Sequence, residues 1–155
     1  MLVSIGSQPR PEASDLLDKL LACHERIRSF TSLAQRLAAS TDTPLEEVRA
    51  AAASVRRYFV EALPKHVREE EELVAAQLRG RSAELDAALA AMSHEHGAHE
   101  PVVARLVATC SALEASPERL PELARELATI ADALATDFAA HLAAEEQLIF
   151  PALRS

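Results

Sequence analysis

Apolar residues recur along this chain at three- and four-residue spacing, in four long runs separated by short polar breaks. That is the period of amphipathic helices. The first run places Leu17, Leu20 with Leu21, Ile27 and Thr31 on one face, with His24 among them. Ser14 stands where it can cap this helix, which is expected to reach about Ala38 behind a flexible lead-in of residues 1–13. After Ser40-Thr41-Asp42, the run Thr43-Pro44-Leu45-Glu46 has the spacing of a capping box with Pro at the first helical position. The second stripe is Val48, Ala52, Val55, Phe59, Ala62 or Leu63, then His66, Glu70 and Leu73, ending near Arg79 with a kink expected at Pro64. Gly80 reads as a stop and Ser82 as the next cap. A third helix, about Ala83 to Leu113, aligns Leu85, Leu89, Met92, His96, His99, Val103, Leu106 and Cys110, with a bend expected at Gly97 and Pro101. Ser116-Pro117 opens the fourth, where Leu123, Leu127, Ile130, Leu134 and Phe138 lead directly into His141, Glu145 and Leu148.

Four helices with short connections predict an all-α fold, an antiparallel up-down-up-down four-helix bundle occupying residues 14–155. Composition supports this: 49% of residues are apolar but only 3% aromatic, and three glycines in 155 residues leave the helices uninterrupted. A formal charge of −8 argues against nucleic acid or an anionic membrane surface as partner. No apolar run has the length of a transmembrane span, and Met1-Leu-Val-Ser-Ile-Gly6 lacks the features of a signal peptide. Two cysteines, Cys23 and Cys110, make no disulfide framework, read as buried structural thiols and suit a reducing cytoplasm, the expected location.

In such a bundle the start of the first helix, the end of the second, the start of the third and the end of the fourth share one end. Counted inward from it, His24, His66, His96 and His141 lie about ten to fourteen residues deep, a spread of roughly 6 Å at 1.5 Å per residue. Four core-facing imidazoles therefore meet in one layer. Glu70 and Glu145 follow His66 and His141 by four residues, about 40° apart on the same face, so each carboxylate joins its histidine. The halves of the chain repeat this arrangement: a lone histidine, then His-x-x-x-Glu. Burying such a layer is costly unless cations compensate it. Imidazole with carboxylate suits iron, manganese or zinc, and two shared carboxylates suit a dinuclear centre. A ferritin-like site requires Glu-x-x-His twice, and no histidine here has an acid three residues before it.

His24, His66 with Glu70, Glu95-His96, and His141-x-x-x-Glu145-Glu146-x-x-Ile149-Phe150-Pro151 together resemble the hemerythrin-like, or HHE cation-binding, domains over about residues 14–153. The resemblance implies a non-haem di-iron centre with an oxo or hydroxo bridge, open to a small diatomic ligand such as dioxygen or nitric oxide. It implies His24, His66, Glu70, His96, His141 and Glu145 as metal ligands, with His99, Glu100 and Glu146 as alternative donors. The chain departs from the oxygen carriers twice. Their third helix carries His-x-x-x-His, where Glu100 stands here, and their fourth-helix acid falls at Glu146. Fewer histidines fit sensing, redox chemistry on oxygen, peroxide or nitric oxide, or iron handling and repair better than simple oxygen carriage. Whether the chain is an enzyme stays open at this point. A sensor would act through a redox or signalling partner protein, and the remaining alternative is a metal-free structural interaction bundle.

Overall fold

The computed structural model describes the backbone of residues 11–154 and the side chains of residues 15–154. Helix α1 is Pro11–Ala39. Its backbone is already helical at Pro11, so Ser14 lies inside the helix rather than capping it. Proline's preset φ and missing N–H suit a first turn, where that donor has no helical partner. Of the lead-in expected over residues 1–13, residues 11–13 belong to this helix, and residues 1–10 fall outside the described residues.

The capping box does not form. Pro44 takes the N-cap position with extended ψ and offers no side-chain cap, while the Thr43 hydroxyl donates to the Ser40 carbonyl at 2.6 Å. Helix α2 spans residues 45–78. At the other end Gly80 adopts φ +85°, a left-handed turn that costs glycine nothing. Ser82 then caps helix α3, Ala83–Ala115, its Oγ accepting from the Leu85 amide at 3.1 Å. Helix α3 stays helical through Gly97 and Pro101. A short 3-10 turn, Pro117–Arg119, leads into helix α4, residues 120–154.

Helices α2 and α4 are not regular throughout. Single π-helical turns sit at Tyr58–Ala62, Glu70–Val74 and Glu145–Ile149. In each, the amide five residues on bonds the first carbonyl: Leu63 to Tyr58, Ala75 to Glu70, Phe150 to Glu145. The first precedes Pro64 and absorbs the proline within a widened turn, so α2 continues instead of breaking. The other two begin at the two carboxylates expected in the site. A four-residue row drifts about 40° per step around a regular helix, and a widened turn takes back part of that drift. The buried row therefore continues from Glu70 to Val74 and Leu78, and from Glu145 to Ile149 and Leu153. Leu73 and Leu148, expected on the core stripe, point outward at 48% and 62% exposure.

Side-chain pairs fix the directions of neighbouring helices. Lys19 meets Glu69 and Tyr58 reaches back to the Cys23 carbonyl, so α1 and α2 run oppositely. Arg28 with Glu146 and Gln35 with Asp132 do the same for α1 and α4. Arg56–Glu114 with Glu71–His96 sets α2 against α3, and Glu95–His141 with His99–Phe138 sets α3 against α4. Two apolar clusters fill the bundle. One, including Ile27, Phe59, Leu106, Leu113, Leu127 and Phe138, occupies the half near the α1–α2 and α3–α4 turns. The other, including Leu17, Leu20, Val74, Leu78, Met92 and Ile149, occupies the opposite end. The histidine layer lies between them on every helix. Among the described residues no helix is long and apolar enough to cross a membrane.

Candidate metal centre

Each helix contributes one histidine to the layer, and α2 and α4 each add the glutamate four residues on. His24, His66, His96 and His141 are 7% exposed or less, and Glu70 and Glu145 are at 0% and 1%. The rings pair off across the bundle, His24 with His66 at 5.1 Å between centroids and His96 with His141 at 4.9 Å. Each pair forms a four-residue group with the same two carboxylates. His24, His66, Glu70 and Glu145 make one; Glu70, His96, His141 and Glu145 make the other. Within each group the candidate ligand atoms lie within 4.8 Å of one another. Glu70 and Glu145 thus stand between two positions, each with two imidazoles of its own. This is a two-site arrangement with shared carboxylates, and the internal repeat seen in the sequence generates it.

The atoms facing the interior lack conventional partners. Both nitrogens of His24 and His66, Nε2 of His96, and all four carboxylate oxygens of Glu70 and Glu145 make no hydrogen bond. They nevertheless crowd together, with His66 Nε2 2.9 Å from Glu70 Oε1 and His24 Nε2 3.0 Å from Glu145 Oε2. Buried polar atoms are rarely left so. A donor set of nitrogens and carboxylate oxygens, without thiolate, fits iron, manganese or zinc. In a metal-free chain, protons supply the compensating charge. Burial alone would lower the histidines, but Glu145 and Glu70 outweigh it and raise His24 to about 9. The same balance, with Glu71 added, raises His96 to about 10. His141 is also raised against its burial, by Glu145 and Glu95. Burial pushes the Glu70 carboxyl up, yet its contacts with Glu145, His24, His66 and His96 hold it well below the usual carboxylate range. Metal entering such a site displaces protons.

Outside the layer, three further acids meet the far nitrogens. His96 Nδ1 donates to Glu71 Oε1 at 2.8 Å, and His141 Nδ1 donates to Glu95 Oε2 at 2.6 Å. Both contacts place the proton on Nδ1 and leave the Nε2 lone pair facing inward. Glu146 approaches His24 Nδ1 at 3.7 Å while its other oxygen holds Arg28 Nη2 at 2.6 Å. Glu71 lies in the acidic run Glu69–Glu72 and Glu95 beside His96 in the motif; their contact role is legible only once the helices are packed. His66 Nδ1 has no such acid.

The alternative donors fall outside both groups. Glu100 is exposed, and Glu146 sits behind His24 rather than among the interior atoms. His99 is half-buried, its ring 5.1 Å from His141 and 4.9 Å from Phe138. His94 is exposed, as its position opposite His96 predicts. Cys110 is buried in the core, whereas Cys23, expected to be buried, is half-buried beside a surface cavity. Phe59 is 2% exposed and packs parallel to Phe138, an apolar floor beneath the layer.

Neither the curated proteins nor the solved structures yield a match to this chain. A family model does match, over residues 15–153, and it is the hemerythrin HHE cation-binding domain. The match covers all four helices and every residue of the layer, so this chain belongs to the hemerythrin HHE cation-binding family.

Proposed function

We propose that the chain holds two iron ions in the layer of four histidines and two glutamates, and binds or senses a small diatomic ligand there, dioxygen or nitric oxide. The observation that carries this is the pair of donor groups sharing Glu70 and Glu145. Each position has two imidazoles and two carboxylate oxygens within reach, fewer donors than the six an octahedral ion takes. An ion held by these residues would keep coordination positions free for an exogenous ligand. Iron supplies the reversible electron transfer that such ligands require.

The protein's own part is to fix and shield the positions. Glu71 and Glu95 hold two of the imidazoles in the tautomer that presents Nε2. Glu70 and Glu145 carry the negative charge that offsets two cations, and Phe59 and Phe138 present apolar rings beneath them. A second reading, a redox enzyme acting on oxygen, peroxide or nitric oxide at the same centre, draws on the cavity that adjoins the layer.

The test is anaerobic loading with ferrous iron followed by nitric oxide, read by optical and electron paramagnetic resonance spectra. The proposal expects two irons per chain and a saturable nitrosyl signal. A loaded protein whose spectrum changes with neither nitric oxide nor oxygen would overturn the ligand-binding reading.

A further inference from the structure

A cavity of about 390 Å³ opens between α2 and α3 and reaches the layer at His66, Glu70, His96 and His141. A water-sized ligand takes roughly 30 Å³, and an apolar space of about 150 Å³ already holds benzene. Dioxygen or nitric oxide would leave most of this volume empty. Its size falls instead in the range of small-molecule pockets, roughly 300–1,000 Å³.

The chemistry of the wall is divided along the bundle axis. At the level of the layer the lining is polar. Within about two turns toward the α1–α2 turn it becomes apolar, with Phe59, Leu63, Val103, Phe138 and Leu142. His99 stands at the junction, half-buried and making no hydrogen bond among the described residues. Arg68 and Glu100, both exposed, line the cavity as opposite charges. Neither the wall nor this pair selects for a net charge on the occupant.

We infer that this cavity is a binding site for an uncharged organic molecule, a short aliphatic or single-ring body bearing one hydroxyl-type oxygen. The body packs on the apolar wall, and the oxygen faces His99 and the metal layer. The direction of the head group rests on the metal reading above; the existence of the pocket does not. It makes the centre one that meets an organic molecule as well as a diatomic gas.

The test uses 4-fluorobenzyl alcohol as probe, followed by fluorine NMR, with metal-free and iron-loaded protein. Saturable binding is expected in both, with faster fluorine relaxation when iron is loaded. Val103→Trp should weaken binding at least about tenfold, because the indole occupies the same space. Ala62→Trp, at the separate cavity beside Cys23, should leave it unchanged. Should Val103→Trp fail to fold, Ala104→Phe at an exposed lining position gives the same block. Absence of saturable binding in protein that takes up iron overturns the cavity site and leaves the metal reading standing. Equal weakening by Ala62→Trp overturns it too. Binding without iron uptake upholds the pocket and overturns the direction of the head group.

Discussion

Removing the carboxylate behind a histidine should weaken metal binding without abolishing it. In Glu71→Ala the His96 Nδ1–H loses a charged acceptor at 2.8 Å, and in Glu95→Ala the His141 Nδ1–H loses one at 2.6 Å. Each imidazole is then free to rotate or to place its proton on Nε2, where it blocks the metal. Such outer carboxylates typically contribute about 10–100-fold in metal affinity, about 1.4–2.7 kcal/mol. Water competes in proportion to exposure, and the side chains are 33% exposed for Glu71 and 45% for Glu95. Glu71→Ala should therefore fall near the upper part of that range and Glu95→Ala near ~10-fold. Glu71→Gln keeps an oxygen acceptor but loses the charge, so it should lie between wild type and Glu71→Ala. Competition titration against a chromophoric chelator, at fixed pH and under anaerobic conditions, reads each affinity directly. Glu72 is exposed on the turn beside Glu71, so Glu72→Ala supplies the baseline. If Glu71→Ala binds as tightly as Glu72→Ala, the contact to His96 does not orient a ligand and the assignment fails.

Losing a shared carboxylate should do far more: Glu70→Ala and Glu145→Ala each remove a donor from both groups, so metal content after desalting should drop by more than half. Glu100→Ala should retain it, and equal retention in all three would refute the sharing. The metal-free protein should lose stability between pH 7 and 10. His24 and His96 are raised above their ordinary 6.5, to about 9 and about 10, so their contribution is complete below 6.5 and disappears as pH rises through the raised values. Chemical denaturation across that range should show the decline without metal and a flatter profile with it; matching slopes would contradict this. Hydrogen exchange on metal-free protein should show protection lost first around His24, His66, His96 and His141, while the far-end packing around Leu37, Val48 and Leu113 holds. Uniform exchange would make the layer ordinary core.

The bundle and its histidines were legible because helix periodicity survives in the sequence, and because a polar residue on a leucine stripe has few reasons to be there. Counting depth along four helices needed only the rise per residue, and it brought His24, His66, His96 and His141 together. Glu70 and Glu145 followed from four-residue spacing, but Glu100 stands four residues after His96 as well, and only the packed helices separate Glu100 and Glu146 from the two donor groups. The π turns were not legible. Nothing in Glu70-Glu-Glu-Leu-Val74 announces a widened turn, because the preference is set by the neighbours that Val74 and Ile149 must meet. That is why Leu73 and Leu148 were placed on the wrong face. The Thr43 capping box failed for a local reason, since the helix begins at Leu45 and Pro44, which has no side-chain acceptor, takes the N-cap position in place of Thr43. The contact roles of Glu71, in an acidic run, and of Glu95, beside His96, were not legible because their partners sit on other helices. The cavity beside His99 has no linear signature at all, being the space left between two packed helices.

The central claim is tested most directly by counting metal. Protein purified without chelators, loaded anaerobically with ferrous iron and desalted, should contain two irons per chain by elemental analysis, and Glu145→Ala should contain less than one. A wild-type protein that keeps no transition metal under those conditions would contradict the account, since the buried atoms of His24, His66, Glu70, His96, His141 and Glu145 would then have to be satisfied by protons alone.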